Sequence, residues 1–187
     1  MFRSHANFDI CEDVVIMDYC ILGERNPYPD VFENQSERIV SIGDKTIISS
    51  YTVLFEGARI ANNVQIGERC TIGSCTQIGH HCRLIYGAQV HDNVTVGQCS
   101  IIGGFIADNC TVGERCHVFG SLVHRYDTPD PSAWDETDEI GPTLEDNVVI
   151  GWGAVIVGPI RIGADARIRP NAVVTRDIMP GERYGSS

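Results

Sequence analysis

An aliphatic residue falls on every sixth position from Ile42 to Ile102, eleven times in succession. The positions are Ile42, Ile48, Leu54, Ile60, Ile66, Ile72, Ile78, Leu84, Val90, Val96 and Ile102. An amphipathic α-helix repeats its apolar residues about every 3.6 positions and a half-buried strand about every 2, so neither element explains this spacing. Self-similarity at a fixed period of this kind indicates a solenoid, in which each repeat stacks on its neighbours.

A small or β-branched residue follows four positions after each aliphatic residue of this run. These residues are Thr46, Thr52, Ala58, Val64, Cys70, Thr76, Cys82, Ala88, Val94 and Ser100. The two spacings predict a parallel β-helix, in which each unit supplies a short strand and a corner. Three units form one triangular coil, and coils stack at the strand spacing of roughly 4.8 Å. Asn63, Asn93, Asn109 and Asn147 lie near the predicted corners, where we expect positive φ.

The same period extends beyond the main run in both directions. It includes Ile10, Ile16, Leu22, Ile106, Val112, Val118, Leu144, Ile150, Ile156, Ile162, Ile168 and Val174, which brings the total to 23 units. The register slips by two residues near Gly103–Gly104. Two stretches, 23–41 and 124–143, break the pattern with prolines and charged residues, and we interpret them as loop excursions from corners. We therefore predict one all-β domain over residues 1–187.

Composition restricts the partners and the compartment. The net charge of −11 argues against a nucleic-acid partner or an anionic membrane surface. No apolar run is long enough to span a bilayer, and the first residues do not form a signal peptide. Cys70, Cys82, Cys110 and Cys116 occupy inward corner positions, where a thiol packs as a small hydrophobe. Since no CxxC pair occurs, the cysteines predict a reducing, cytoplasmic compartment.

The C-terminal half carries a resemblance to a known family. The segments VFGSLVHRYDTP (118–129) and GPTLEDNVVIGWGAVIVGPIRIGADARIRPNAVVTRDIMPG (141–181) resemble acetyl-CoA-dependent O-acetyltransferases of the galactoside, maltose and serine type. These enzymes belong to the hexapeptide-repeat, left-handed β-helix acyltransferases. The resemblance implies a left-handed β-helix, a homotrimer, and His124 as the general base at the mouth of the second excursion. A neutral imidazole suits this role, and Asp127, Asp130 or Glu136 is a candidate to orient it.

The same resemblance implies where the acyl donor binds. Acetyl-CoA is expected along the C-terminal coils between two subunits. The matching positions are Gly151, Trp152, Gly153, Ala154, Pro170, Thr175 and Arg176. Five arginines in the last thirty residues provide a positive field suited to CoA phosphates, or else form an ordinary solvated face with the acidic residues between them.

The middle of the chain is similar to a different member of the family. SERIVSIGDKTIISSYTVLFEG (36–57), QIGHHCRL (77–84) and NVTVGQCSIIGG (93–104) resemble the UDP-N-acetylglucosamine acyltransferase of lipid A synthesis. The catalytic histidine of that enzyme falls on Asn93 here, and an amide cannot act as the base, so we do not carry its activity over. Four further histidines are either outward structural residues or contributors to a nucleotide-sugar acceptor site, namely His80, His81, His91 and His117. His5 is expected on a loose terminus.

These observations predict a CoA-dependent acyltransferase that moves an acetyl group from acetyl-CoA to a hydroxyl or amine of a sugar or nucleotide-sugar. No metal is expected. One alternative is a non-catalytic β-helix scaffold, since a fold alone does not establish activity. The other is a zinc-dependent carbonic anhydrase of the γ type, which uses three histidines; the histidine spacing here matches that enzyme poorly.

Overall fold

The computed structural model describes residues 3–4, 8–27, 38–125 and 140–185. These residues form three parallel sheets, which we name A, B and C, and the chain visits them in that order once per coil. Each strand pairs in parallel with the strand one coil away, as in Ile72 with Leu54 and Val90. No α-helix occurs in the described ranges. The predicted all-β parallel β-helix is therefore confirmed.

Sheet A has nine strands and sheet B has eight. Sheet A contains β1 Arg3–Ser4, β4 Ile21–Glu24, β7 Val53–Phe55, β10 Thr71–Ile72, β13 Gln89–Val90, β16 Phe105–Ile106, β19 Ser121–Val123, β22 Val155–Val157 and β25 Val173–Val174. Sheet B contains β2 Phe8–Ile10, β5 Val40–Ile42, β8 Arg59–Ile60, β11 Gln77–Ile78, β14 Thr95–Val96, β17 Thr111–Val112, β20 Thr143–Leu144 and β23 Arg161–Ile162.

Sheet C has nine strands. They are β3 Val15–Ile16, β6 Ile47–Ile48, β9 Gln65–Ile66, β12 Arg83–Leu84, β15 Ile101–Ile102, β18 His117–Val118, β21 Val149–Ile150, β24 Arg167–Ile168 and β26 Arg183–Tyr184. Three corners connect the sheets, and we name them A–B, B–C and C–A after the direction of the chain. Residues 73–76, for example, form the A–B corner between β10 and β11.

The core consists of the stacked sixth-position residues and the small corner residues. Ile48, Leu54 and Ile72 are completely buried, as are the corner residues Ala58 and Cys70. The four predicted corner asparagines all have φ between 56° and 60°. Asparagine tolerates this left-handed region better than most residues, which explains its recurrence at the corners. The inward stacking and the corner chemistry predicted from the repeat are confirmed.

The structure corrects the predicted register in two respects. The slip near Gly103–Gly104 is confirmed, because β15 ends at Ile102 and β16 begins at Phe105. A second slip of the same size was missed, between Val118 and the fully buried Leu122. The structure has three strands in addition to the predicted 23 units, namely β1, β19 and β26. The excursions are also shorter than predicted, covering 25–39 and 124–142, because the adjoining strands extend into both.

The buried cysteines give a prediction about thiol reactivity. All eight cysteines are free, and Cys20, Cys70, Cys82, Cys110 and Cys116 are buried. Burial raises the pKa of Cys82 to about 11 and that of Cys110 to about 12. Since only the thiolate reacts, we expect these two thiols to be inert at pH 8 in the folded protein.

Labelling with a chromogenic thiol reagent tests this expectation. The exposed Cys11 and Cys99 should react rapidly, and the five buried thiols should react only after unfolding in denaturant. Cys75, which is partly exposed, should react at an intermediate rate. Rapid labelling of the buried thiols in native buffer would show that the coils open much more readily than this packing implies.

Candidate active site at the A–B corner

Both excursions emerge from the same edge of the prism. The first leaves sheet A after Glu24 and returns to sheet B at Val40, and the second leaves sheet A after Val123 and returns to sheet B at Thr143. Four ordinary coils separate them along the A–B corner. Their corners carry a column of polar residues, namely Glu56, Ser74, Asp92 and Asp108. The repeat thus brings a polar column and two long excursions to one edge.

His124 lies at the start of the second excursion and is only 7% exposed. Its Nε2 is 2.7 Å from the main-chain carbonyl oxygen of Asp108. A carbonyl oxygen can only accept a hydrogen bond, so Nε2 carries the proton in this contact. The lone pair of the neutral ring is then on Nδ1, which gives the imidazole one nitrogen able to take up a proton.

The far end of the second excursion meets the same carbonyl. A Cβ on Gly141 would lie 2.8 Å from the carbonyl oxygen of Asp108 and 2.6 Å from Sγ of Cys110. Only glycine fits there without displacing the group that holds His124. Near the start of the excursion, Gly158 leaves room for the side-chain stem of Arg125. The main chain of Asp108 therefore lies close to both His124 and Gly141, which are near the two ends of the excursion.

A second histidine lies beside the Asp108 carboxylate. Nδ1 of His91 is 3.9 Å from Oδ1 of Asp108, and the two side chains are 43% and 37% exposed. The imidazole packs against the Phe105 ring at a centroid distance of 4.7 Å. The main-chain N–H of Asp92 donates to the same Oδ1 at 2.8 Å. His91, Asp108 and His124 consequently form one cluster on adjoining coils.

The first excursion is attached to the same column. Nδ2 of Asn26 donates to Oγ of Ser74 at 3.0 Å and to Oδ2 of Asp92 at 2.7 Å. At the other end of the excursion, Arg38 pairs with the buried Glu56 at 2.9 Å, and Glu56 also accepts the main-chain N–H of Asn26. Burial raises the pKa of Asp92, while its bonds from the Ser74 N–H and Asn26 act in the opposite direction.

The other histidines lie elsewhere on the prism. His80 and His81 are on the B–C corner, where Nδ1 of His80 accepts the main-chain N–H of Asn62 at 3.2 Å. His117 is exposed on the outer face of sheet C, with its ring 6.4 Å from that of Phe119. These contacts are typical of structural residues on a protein surface. His5 and the carboxylates Asp127, Asp130 and Glu136 lie outside the described residues.

The seven predicted donor-binding residues fall into two groups. Gly151, Trp152, Gly153 and Ala154 form one C–A corner, and Pro170 stacks directly on Gly151 from the next coil. Thr175 and Arg176 follow β25 and lie on the A–B corner, two coils beyond His124. Between the two groups runs the outer face of sheet A, about 10 Å wide at a rise of roughly 3.3 Å per residue. A donor that touches both groups has to cross this face.

The predicted positive field is partly neutralised. Arg176 pairs with Glu182 at 2.7 Å and lies over the Tyr184 ring, 5.1 Å from its centroid. The hydrogen bond from Arg176, followed by that from the main-chain N–H of Met179, lowers the pKa of Glu182. Arg161 is likewise paired with Glu145. Some of the positive charge in these C-terminal coils is therefore balanced locally, and a role in binding CoA phosphates stays a prediction.

Sequence analysis missed Asp108, Asp92 and Asn26 as members of this cluster. A coil-by-coil alignment of the corners would have placed Asp108 above Asp92, but Asn26 lies in an excursion without periodic register. Within the described ranges, no three histidine, cysteine or acidic side chains are grouped so that they could hold a metal ion. The described segments also include no helix with the length and hydrophobicity needed to cross a membrane.

The six-residue repeat and the three stacked sheets define a hexapeptide-repeat β-helix. Residues 141–176 match the family described as "Bacterial transferase hexapeptide (six repeats)", which confirms the predicted resemblance. The structure of a UDP-N-acetylglucosamine acyltransferase from Bacteroides fragilis is similar, with a TM-score of 0.56 and 13% identity over 96% of this chain and 69% of that chain. At this identity the likeness concerns the fold, and the fold is the predicted left-handed parallel β-helix.

Two relatives are similar to this chain over part of its length, and both are acyltransferases, as the resemblance predicts. A serine acetyltransferase from Mycobacterium tuberculosis is 54% identical over 39 residues, which cover 21% of this chain and 17% of the relative. A UDP-3-O-acylglucosamine N-acyltransferase from Methylorubrum extorquens is 32% identical over 82 residues, which cover 44% of this chain and 19% of the relative. The chain therefore spans less than a fifth of the length of these two relatives.

Proposed function

We propose that this protein is a CoA-dependent acyltransferase that moves an acetyl group from acetyl-CoA to a hydroxyl or amine of a sugar or nucleotide-sugar. The observation that carries the proposal is the 2.7 Å contact between Nε2 of His124 and the main-chain carbonyl oxygen of Asp108. The Nε2–H of His124 is bound to the Asp108 carbonyl, and the lone pair of the ring is on Nδ1, at the mouth of an excursion on a polar corner. The names of the relatives, an acetyltransferase and an acyltransferase, support the same reaction class.

In the proposed reaction, the acceptor oxygen or nitrogen attacks the thioester carbonyl carbon while Nδ1 of His124 takes its proton. The new C–O or C–N bond forms, and the C–S bond then breaks with its electron pair leaving on sulfur. The imidazolium returns the proton to the CoA thiolate, which regenerates the neutral ring. The carbonyl of Asp108 keeps the Nε2–H oriented throughout, so the same nitrogen accepts and returns the proton.

The donor side of the proposal rests on the resemblance. Gly151, Trp152, Gly153, Ala154, Pro170, Thr175 and Arg176 are assigned to acetyl-CoA. The division of these residues between two corners of sheet A suits an extended molecule that runs across the sheet toward His124. The proposal also includes a homotrimer, with the donor held between subunits, and a cytoplasmic location, which the eight free thiols support.

Binding of the donor tests the proposal against the scaffold alternative. A ligand that binds only the folded state stabilises it by about 2.7 kcal/mol at 100 times its Kd, so acetyl-CoA should raise the melting temperature by several degrees. ATP at the same concentration controls for non-specific attraction of phosphates to the C-terminal arginines. A scaffold should respond to neither molecule.

Turnover completes the test. CoA thiol release should be measured with acetyl-CoA and a panel of sugars, aminosugars and nucleotide-sugars. An acyltransferase should release CoA only when a suitable acceptor is present. The proposal is wrong if acetyl-CoA stabilises the protein no more than ATP does and no acceptor in the panel elicits thiol release.

A further inference from the structure

The acidic residues on the A–B corner are not equivalent. Glu56 is buried and binds Arg38 and Asn26, and both carboxylate oxygens of Asp92 accept hydrogen bonds, from the Ser74 N–H and from Asn26. These two carboxylates thus hold the first excursion in place. The carboxylate of Asp108 is different. Within the described part of the chain it accepts one hydrogen bond, from the Asp92 N–H, and its side chain is 37% exposed.

Asp108 also connects the two histidines of the corner. Its main-chain carbonyl accepts the Nε2–H of His124, and its carboxylate oxygen lies 3.9 Å from Nδ1 of His91. Phe105 supports the His91 ring from one side, which leaves the other parts of a 43% exposed imidazole open to solvent. Asp108 therefore contacts His124 through its main chain and lies beside His91 through its side chain. The A–B corner thus has a carboxylate (Asp108), a second polar side chain (His91) and the proposed base (His124).

We propose that Asp108 and His91 form the acceptor subsite beside His124, and that this subsite selects a primary amine over a hydroxyl. The inference rests on the function proposed above, whose acceptor it narrows to an amine. Asp108 attracts and hydrogen-bonds the acceptor as an ammonium group, and His91 supplies the neighbouring contact. Acyl transfer then produces an amide.

The charges around the subsite favour a cation. Among the residues that the structure describes, the charged or titratable side chains beside Asp108 are His91 and Asp92, with His124 at its main-chain carbonyl. With both imidazoles neutral, the two carboxylates leave a net negative charge, which attracts an ammonium group and offers nothing comparable to a neutral hydroxyl. A hydroxyl can still donate a hydrogen bond to Asp108, but it gains no charge–charge attraction.

The ammonium group has to lose two protons in this reaction, and each of the two histidines accepts one of them. An ammonium group has to lose one proton before its nitrogen has a lone pair for attack. In this proposal His91, which is partly exposed, accepts this proton and passes it to solvent. The nitrogen lone pair then forms the C–N bond to the thioester carbon, and His124 takes the second proton. The C–S bond breaks, and His124 delivers that proton to the leaving thiolate. One ammonium and one thioester thus yield one amide, one CoA thiol and one proton released to water.

Matched pairs of ligands test the selection directly. Glucosamine and glucose differ only by an amine in place of a hydroxyl, as do ethanolamine and ethylene glycol. Binding of each should be followed at millimolar concentrations through the imidazole NMR signals of His91 and His124. This measurement requires neither acetyl-CoA nor turnover. Steady-state kinetics with saturating acetyl-CoA then give the acceptor KM and kcat separately.

Three variants test which side chains are responsible for the selection. Asp108→Asn removes the charge, keeps the main-chain carbonyl that holds His124, and keeps an oxygen able to accept the Asp92 N–H. His91→Asn removes the imidazole. His80→Asn is the control, because His80 is an exposed histidine on the B–C corner, away from this cluster. We expect amine affinity to fall at least about tenfold in Asp108→Asn and severalfold in His91→Asn, with no change in His80→Asn.

The results separate this inference from the proposed function. The inference is upheld if the amines bind at least tenfold tighter than their hydroxyl partners and Asp108→Asn abolishes the difference. It is overturned if amines and hydroxyls bind alike, if no amine perturbs either imidazole, or if Asp108→Asn binds amines like the wild type. Failure of acetyl-CoA to bind would instead contradict the acyltransferase proposal, while the amine titration would still report on the subsite.

Discussion

Replacing His124 with glutamine should lower kcat by at least about 100-fold and leave the fold and the affinity for acetyl-CoA nearly unchanged. Glutamine places an N–H donor close to the position of Nε2, so the bond to the Asp108 carbonyl can be kept. What the amide lacks is the basic Nδ1. Glutamine therefore removes the proton-accepting nitrogen and keeps the donor to Asp108, whereas alanine would remove both.

The measurement is steady-state CoA release with the best acceptor of the panel, together with a thermal melt in the presence and absence of acetyl-CoA. His117→Gln is the matched control, since His117 is exposed on sheet C and its loss should leave kcat within about twofold of the wild type. Wild-type turnover in His124→Gln would remove His124 from the role of base. A large fall in the melting temperature would instead indicate that the glutamine does not restore the bond to Asp108.

The period of six made most of the architecture predictable, because each unit obeys the same local rule. An inward aliphatic residue, a small corner residue and a residue tolerant of positive φ are readable one unit at a time. The failures occurred where a unit breaks the rule. Leu122 follows Val118 after four residues, and a search at fixed spacing therefore passed over strand β19. Its burial and its pairing with Ile106 and Ile156 appear only once the coils are stacked.

The site was predictable only in part, and the reason is geometric. His124 was identified from its neighbours in the sequence, but its partner is a main-chain carbonyl sixteen residues earlier, which no side-chain pattern reveals. The contact of Asn26 with Asp92 spans 66 residues and depends on the course of an excursion. The repeat does explain why His91 and His80 differ in their surroundings. They lie at different corners, His91 at A–B and His80 at B–C, and only the A–B corner carries the two excursions.

The same geometry explains why Asp108 is at the centre of the cluster. It lies one coil before His124, so the short spacing between coils brings its main chain against the imidazole. The second register slip contributes to this, because it makes the coil between Asp108 and His124 two residues shorter than a regular coil. The next A–B corner therefore begins two residues earlier in the sequence. A loss of two residues, which looks like an irregularity in the repeat, therefore helps to determine which residues meet at the corner.

The largest stability effect is expected at the shortened C–A corners. Gly103–Gly104 and Phe119–Gly120 each replace a four-residue corner with two residues, and the main chains of the two coils consequently approach closely. A Cβ on Gly104 would overlap the main-chain carbonyl oxygen of Gly120. Because that oxygen belongs to the stacked backbone and cannot swing away like a flexible side chain, Gly104→Ala should cost at least about 3 kcal/mol.

Gly87→Ala provides the control for this substitution. Gly87 is on the C–A corner one coil earlier, where the corner has its full length, and a Cβ there would meet nothing within 4 Å. Its φ of 73° makes the alanine variant mildly strained, at about 1 kcal/mol. Since 1 kcal/mol shifts the melting temperature by roughly 2–4 °C in a chain of this size, Gly104→Ala should melt at least about 6 °C below the wild type and clearly below Gly87→Ala. Equal melting temperatures for the two variants would mean that the shortened corners have room between them, and the close stacking of these coils would then be wrong.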